Sequence, residues 1–205
     1  MPVLVSLALG TAKLDVIHDL RPEVVSFTFG LSTSIEIRRL KSAGITSAAT
    51  VTNLDEALLA LACGVDVLVA QGPRAGGHRA TFDPVAKPPE EPLQGLLAAL
   101  VPRVNAPIVA AGGFATSDDV RLVIGMGAVA AHCGTAFLLA HEAGSNPIHR
   151  AALTSPEFTE TVLTRAFTGR YARGLRNRFI EEHETKRFSG SPRSECSPAQ
   201  SRRPR

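Results

Sequence analysis

The chain has 205 residues, of which 44% are hydrophobic, 17 are glycine and 14 are proline. This composition is typical of one soluble globular domain and excludes a collagen-like or a wholly disordered chain. The formal net charge is +3, but the segment from Thr185 to Arg205 contains six basic residues and one acidic residue, so residues 1–184 carry −2. The net positive charge therefore does not favour a prediction of nucleic-acid binding, because the excess basic residues do not lie on a predicted folded surface.

The first ten residues are apolar, but this run is too short to span a bilayer and no basic residues precede it, as they would in a signal sequence. We interpret Val3–Leu9 as a strand or a strand remnant. Extended β-branched segments and segments of helical periodicity then alternate along the chain, which predicts a parallel α/β fold. The predicted strands are Val24–Phe29, Thr46–Val51, Val65–Gln71, Pro107–Ala111 and Val129–Cys133.

Helix ends are marked in the intervening segments. Asn53 and Glu56 have the spacing of a capping box, and Ser117 is predicted to precede a helix with Asp118 and Asp119 in its first turn. Glycines stand where helices must end before the next strand, at Gly44, Gly64 and Gly127.

One βα unit contains an insertion. Strand starts are 19 to 22 residues apart except between Val65 and Pro107, where the interval is 42 residues. The additional segment, Gly72 to Pro92, is rich in proline and glycine, so it is predicted to be a long loop and not a helix. Loops of this length in compact domains are usually functional.

Glycine-containing pairs follow the predicted strands at their carboxyl ends. Because these ends form one face of a parallel barrel, the active site is expected there. Two of the pairs, Gly112-Gly113 and Gly134-Thr135, come from consecutive units and, with the helix N-terminus at Ser117, would form a cradle of backbone N–H groups for a phosphate. The alternative for each pair is an ordinary tight turn.

His78 lies in the insertion, directly after Gly76 and Gly77. A histidine held there could take a proton from carbon at neutral pH. The alternative is a solvated loop histidine. The other five histidines lack metal-ligand spacing and a glycine-rich setting, so no metal site is predicted.

The three cysteines, Cys63, Cys133 and Cys196, are an odd number without C-x-x-C spacing. Neither a disulfide framework nor a zinc site is indicated, and a reducing cytoplasm is expected. Cys133 is predicted to pack as a small apolar residue of its strand.

Five motifs, in this order, resemble the nitronate monooxygenase family, formerly called 2-nitropropane dioxygenase. They are Val25-Ser-Phe-Thr-Phe-Gly30, Ala70-Gln-Gly-Pro-Arg-Ala-Gly-Gly-His78-Arg79, Ala110-Ala-Gly-Gly113, Gly134-Thr-Ala-Phe137 and Phe167-Thr-Gly-Arg170-Tyr-Ala-Arg173-Gly174. The resemblance covers residues 14–182, and the Ala-Gly-Gly-His element is its most specific part. It implies a TIM (β/α)₈ barrel that contains FMN and oxidises alkyl nitronates, such as propionate 3-nitronate, with O₂.

The resemblance also implies roles for individual residues. His78 would be the active-site histidine, either a base toward a neutral nitroalkane or a hydrogen-bond donor to a nitronate. The residues that would border the flavin are Gln71, Ala75, Gly76 and Gly77, and those that would hold its phosphate are Gly112, Gly113, Gly134 and Thr135. The expected partners are a small nitronate or nitroalkane and O₂, with no nucleic acid, membrane or metal.

The chain departs from the family pattern in length. A complete barrel needs eight strands, and five or six are predicted here, so we expect an incomplete barrel over residues 1–184. We expect the chain to be unstable alone, to pair with another copy through its open edges, or to be a truncated gene product. Residues 185–205, rich in Ser, Pro and Arg, are expected to be a disordered basic tail, either a solvated spacer or a partner-binding segment. Arg74 also stands where the family often has an acidic or small residue, which would alter the charge near the site.

Two other functions are compatible with these motifs, and a third is excluded. A flavin-dependent enoyl-acyl-carrier-protein reductase of the same barrel family shares the Ala-Gly-Gly-His element and the glycine pairs. A truncated, catalytically incompetent relic would keep the motifs without a complete flavin pocket. An enzyme similar to IMP dehydrogenase is excluded, because that chemistry needs a cysteine in the loop and Gly72–Pro92 has none.

Overall fold

In a computed structural model of the chain, the structure describes residues 5–6 and 11–183. The strands are β1 (Val5–Ser6), β2 (Val24–Phe27), β3 (Thr46–Val51), β4 (Val67–Gln71), β5 (Gly77–His78), β6 (Ile108–Ala111), β7 (Ala130–His132), β8 (Thr161–Thr164) and β9 (Ala172–Leu175). The helices are α1 (Thr11–Leu20), α2 (Ser34–Ser42), α3 (Leu54–Ala62), α4 (Leu93–Leu100), α5 (Ser117–Gly125), α6 (Pro147–Thr154) and α7 (Arg178–His183), with 3₁₀ turns at Thr135–Phe137 and His141–Ala143.

The main sheet has six parallel strands in the order β1-β2-β3-β4-β6-β7. The predicted parallel α/β alternation is therefore confirmed, and Thr46–Val51 has the predicted bounds. Four other predicted strands are shorter by one or two residues. Of the predicted strand Val3–Leu9, the structure describes Val5 and Ser6, which form β1, and the rest lies outside the described residues.

The two faces of this sheet have different partners. Alternate residues of β2, β3, β4 and β6, such as Phe27, Val51, Leu68 and Ile108, pack against the buried faces of the helices in the main hydrophobic core. Residues of the opposite parity form a smaller apolar cluster in which Ala48, Val69 and Ala111 are buried. Because both faces are apolar, the strands have the character of barrel strands, with helices outside and side chains inside.

Within the described residues the barrel is not closed: β1 and β7 are the outer strands of the sheet and do not pair with each other. The fold class expected from the sequence, an incomplete TIM-barrel type, is confirmed. Self-association through the open edges stays a prediction. The proposed tail, residues 185–205, lies outside the described residues. No helix of residues 11–183 has the length and apolarity needed to cross a membrane.

Two of the predicted helix caps differ from the structure. Asn53 does cap α3 by accepting the N–H of Glu56, but the Glu56 carboxylate does not return to Asn53. It accepts instead from Thr52 N–H and from the N–H of Phe82 in the insertion. For α5, the N-cap is Thr116 and not Ser117, and Thr116 forms a capping box with Asp119. Sequence spacing alone could not identify these partners, because more than one backbone N–H can reach the Glu56 carboxylate and more than one hydroxyl can cap α5.

A second, three-stranded antiparallel sheet has the order β5-β9-β8. It joins the insertion to the last part of the described chain, since His78 in β5 lies opposite Ala172 in β9. The insertion contains no helix, as predicted. The β8–β9 hairpin was not predicted, because its strands have four residues each and lack the apolar periodicity of the longer elements.

Candidate active site

A cleft with a volume of about 740 Å³ opens at the carboxyl ends of the parallel strands. Its floor comes from neighbouring strands in register: Thr50 lies beside Val69, and Ala111 lies between Gln71 and His132. Clefts of a few hundred cubic ångströms at this face are the usual ligand sites of such folds. The predicted location of the active face therefore coincides with this cleft.

Seven of the nine predicted site residues line this cleft. They are Gln71, Ala75, Gly76, Gly112, Gly113, Gly134 and Thr135. Gly77 and His78 do not line it, but they follow Gly76 directly in the chain and form β5 beside it. The structure thus brings together residues from β4, the insertion, β6 and β7.

The Gly112-Gly113 pair lets the insertion approach the sheet. Both residues have positive φ, +105° and +83°, which glycine adopts without strain. A Cβ on Gly112 would lie 2.7–2.9 Å from atoms of Ala75, and one on Gly113 would lie 2.7 Å from the Cβ of Arg74. Close packing of the insertion therefore requires glycine at these two positions.

Gly134 has a different environment. Its φ is −109°, and a Cβ placed on it would meet no atom within 4 Å. Neither backbone conformation nor packing within the described residues requires glycine there. The N–H groups of Gly113, Gly134 and Thr135 also have no hydrogen-bond partner in residues 5–6 and 11–183. Unpaired N–H groups beside open space can bind an anion.

An internal carboxylate lies at the N-terminus of α5. The Asp119 carboxylate accepts the N–H groups of Ala115 and Thr116 and the hydroxyl of Thr116. These backbone and side-chain hydrogen bonds hold the pKa of Asp119 below its usual value. The N–H groups of Ser117 and Asp118, in the first turn of α5, have no hydrogen-bond partner in residues 5–6 and 11–183, so the contribution of this helix N-terminus to the cradle stays a prediction.

Gln71 fixes the histidine loop. Its Nε2 donates to the carbonyl of His78 at 3.0 Å, and its Oε1 accepts the N–H of Ala80 at 3.0 Å. One side chain at the end of β4 therefore positions both residues that flank Arg79. The observed contacts of Gln71 hold this loop in place, and its role beside a flavin stays a prediction.

The imidazole of His78 is half-buried and held from two sides. Its Nε2 lies 2.7 Å from the hydroxyl of Thr168, and its ring meets the Phe29 ring edge-on with centroids 5.6 Å apart. Burial lowers the pKa of His78 below 6.5, and the positive charge of Arg170 lowers it further. The ring is therefore neutral at pH 7 and able to accept a proton.

Phe29 connects His78 with Arg170. The Arg170 guanidinium lies over the Phe29 ring, 4.5 Å from its centroid, and also donates to the carbonyl of Thr81. Phe29 itself has a φ of +72°, a conformation that costs a non-glycine residue about 1–2 kcal/mol. Such strain is commonly retained at functional sites.

Sequence reasoning assigned no role to several residues of this site. Thr168 and Arg170 belong to the last of the five motifs, and Thr28 belongs to the first. The motifs therefore include these residues, but they do not show which side chains are in contact. Further residues of the cleft are Thr50, Val69, Ala111, Phe114, His132, Cys133 and Leu139. For Cys133 the prediction was wrong: β7 ends at His132, and Cys133 is half-buried in the wall of the cleft. Among the described residues, no group of three His, Cys, Asp or Glu side chains could hold a metal ion.

Comparison with known proteins supplies independent information. A family model described as nitronate monooxygenase matches residues 3–200. A protein described as probable nitronate monooxygenase, from Staphylococcus aureus strain MSSA476, is 40% identical over 174 residues, which are 82% of this chain and 48% of that protein. The chain therefore spans about half the length of the curated relatives it matches.

Two solved structures are also similar. Nitroalkane oxidase from Streptomyces ansochromogenes has a TM-score of 0.80 and 44% identity, over 84% of this chain and 50% of the other. FabK from Thermotoga maritima has a TM-score of 0.73 and 27% identity, over 88% of this chain and 56% of the other.

Proposed function

Since this chain belongs to the nitronate monooxygenase family, we propose that it carries out the flavin-dependent oxidation of alkyl nitronates, such as propionate 3-nitronate, with O₂. Flavin dependence is a property of the family, and FMN is the flavin we propose. The observation that carries the proposal is the position of His78, a neutral imidazole at the edge of a cleft lined by seven of the predicted site residues.

The cleft has features that suit FMN. The N–H groups of Gly113, Gly134 and Thr135 would hold the phosphate, and the open space beside Gly134 would admit it. Ala75, Gly76 and Gly77 of the insertion would border the ring system. When bound, a flavin supplies the capacity to accept electrons from the substrate and pass them to O₂.

The residues of this chain would position the substrate and its proton. The His78 imidazole, with its pKa lowered by burial and by Arg170, would accept the proton of a neutral nitroalkane. Toward a nitronate, which has already lost that proton, the same ring would donate a hydrogen bond. The contacts with Thr168 and Phe29 would keep the ring oriented in either case.

Two measurements test this function. The absorption spectrum of the purified chain, before and after addition of FMN, should show bound oxidised flavin. The flavin-loaded protein should then take up O₂ with propionate 3-nitronate. With a neutral nitroalkane, whose proton His78 would accept, His78→Gln should lower the rate about 100-fold or more, the usual contribution of a general base or acid. His149→Gln, at an exposed position of α6 that does not line the cleft, is the matched control.

Other results would favour the alternatives. NADH consumption with an enoyl thioester, without O₂ uptake on a nitronate, would favour a flavin-dependent enoyl-acyl-carrier-protein reductase. A folded chain that does not bind FMN would favour a catalytically incompetent relic. Equal oxidation of a neutral nitroalkane by His78→Gln and by the unmodified chain would contradict the role of His78.

A further inference from the structure

A second cavity, of about 470 Å³, lies between the insertion and the β8–β9 hairpin. It shares no lining residue with the cleft described above. Its walls include both ends of the insertion and, from the hairpin, Thr161, Leu163 and Arg173.

Three arginines line this cavity: Arg74, Arg79 and Arg173. Within the described residues none of them has a carboxylate oxygen within 4.0 Å. The acidic side chain of the lining is Glu90, and its carboxylate lies 2.6 Å from the ammonium of Lys87. The cavity therefore has an excess of positive charge.

Arg79 is the most unusual of the three because its side chain is almost fully buried, with 2% of the residue exposed. Its guanidinium donates to the carbonyl of Gly72 and, at 3.5 Å, to the carbonyl of Pro89, and its buried Nε has no partner in the described part of the chain. Burial, and after it the charge of Arg173, lower the pKa of Arg79 to about 10, although the Glu56 carboxylate acts in the opposite direction, so Arg79 remains charged at pH 7. A buried cation without a carboxylate at salt-bridge distance costs free energy.

Arg173 is held in place without being neutralised. Its Nε donates to the carbonyl of Pro73 at 2.8 Å, and one terminal nitrogen donates to the hydroxyl of Thr161 at 3.1 Å. These neutral acceptors fix the direction of the guanidinium. Arg74, by contrast, is exposed at the edge of the cavity. The cavity thus combines two fixed guanidinium groups with one adjustable group.

We propose that this cavity binds a phosphoryl group, at a site separate from the flavin cleft, with Arg74 and Arg173 as its ligands and the charge of Arg79 beneath it. Guanidinium groups bind the oxygens of a phosphate with paired N–H donors, and several of them together balance its double negative charge. A bound dianion would also offset the unfavourable burial of the Arg79 charge. The phosphoryl group can belong to free phosphate or to a phosphate ester.

The test is a calorimetric titration of the full chain with inorganic phosphate, in a buffer without sulfate. Saturable binding is expected for the unmodified chain, weakened at least tenfold in Arg74→Gln and in Arg173→Gln, because each variant loses charge-assisted hydrogen bonds. Arg38→Gln, at an exposed position on α2 outside this cavity, is the matched control. Gly134→Ala, in the flavin cleft, should retain the binding.

Folding of each variant is checked by circular dichroism. Arg74 makes no hydrogen bond within the described residues, so Arg74→Gln keeps the test decisive even where Arg173→Gln unfolds. Absence of saturable binding, equal weakening by Arg38→Gln, or loss in Gly134→Ala without loss in Arg74→Gln would each overturn the proposal. A parallel titration with glycerol 3-phosphate identifies the source: tighter binding than phosphate indicates an ester, and weaker binding indicates the free anion.

Discussion

The Nε2 atom of His78 and the hydroxyl of Thr168 lie 2.7 Å apart, although ninety residues separate them in the chain. The Thr168 oxygen also accepts the N–H of Arg170 at 3.4 Å, so its own proton is free to point to the imidazole. Thr168 is therefore a positioning residue for the histidine.

Replacing Thr168 with valine should slow nitronate oxidation about threefold to tenfold. The substitution keeps the side-chain shape and removes the hydrogen bond to the ring, which is worth about 0.5–1.5 kcal/mol, together with the longer one from the Arg170 N–H. The rate should be measured across pH, because loss of an orienting contact to a titrating ring also moves the profile. Thr168→Ser retains the hydroxyl and should restore both the rate and the profile; a Thr168→Ser variant as slow as Thr168→Val would contradict the positioning role.

Removing the charge of Arg170 should raise the pKa of His78. Burial is the largest cause of the lowered pKa of His78, and the positive charge of Arg170 lowers it further. The measurement is an NMR titration of the histidine ring protons in the unmodified chain and in Arg170→Met, with the His78 resonance assigned from its absence in His78→Gln. Arg178→Met, an exposed arginine of α7, is the control. An unchanged His78 pKa in Arg170→Met would show that burial alone sets it.

The same shift makes stability depend on pH. Because the pKa of His78 is lower in the folded chain than in the unfolded chain, the unfolded state binds more protons at acidic pH. The contribution to the free energy of unfolding is fully present above pH 6.5 and is lost as pH falls toward the folded pKa. His78→Gln should therefore show a smaller decrease of the urea midpoint below pH 6.5 than the unmodified chain, and His149→Gln should not differ from it. A parallel decrease in all three proteins would be inconsistent with this linkage.

Gly134→Ala should weaken FMN binding at least tenfold without lowering the thermal stability. The new methyl group meets no protein atom within 4 Å, and φ at this position suits alanine, so the fold has no reason to change. The methyl group would occupy the space beside the unpaired N–H groups. Fluorescence titration with FMN measures the affinity. Gly125→Ala, where a Cβ also meets no atom, is the control and should bind FMN normally.

Gly112→Ala should destabilise the chain by about 2–4 kcal/mol, because it combines backbone strain with overpacking against Ala75. Gly44→Ala separates the two causes. Gly44 also has a positive φ, +76°, but a Cβ there meets no atom within 4 Å, so its cost should be about 1–2 kcal/mol. Urea unfolding of the two variants gives the difference. Equal destabilisation would mean that the insertion moves away from Gly112 at no cost.

Much of the fold was predictable from the sequence. The order of the strands and helices, the parallel sheet and the face that carries the cleft all follow from hydrophobic periodicity and from glycines at strand ends, which are local signals. The cleft residues Gly112, Gly113, Gly134 and Thr135 were predictable for the same reason, because the carboxyl ends of parallel strands converge wherever the chain forms such a sheet. Gln71, Ala75 and Gly76 were predicted from the resemblance to the family. His78 was identified from its glycine-rich setting in a long loop.

The tertiary structure alone decided which distant side chains meet. Thr168 reaches His78 because β9 pairs with β5, and Arg79 is buried because the insertion folds against the same hairpin. Hydrophobic periodicity does not indicate such pairings. They depend on the path of the long connecting segments and on which of several possible donors and acceptors come into contact. The Asp119 carboxylate is another example, because its hydrogen bonds to the N–H groups of Ala115 and Thr116 could be recognised only from the distances. Local patterns thus determined the strands and the active face, while long-range packing determined the environment and charge of the groups on it.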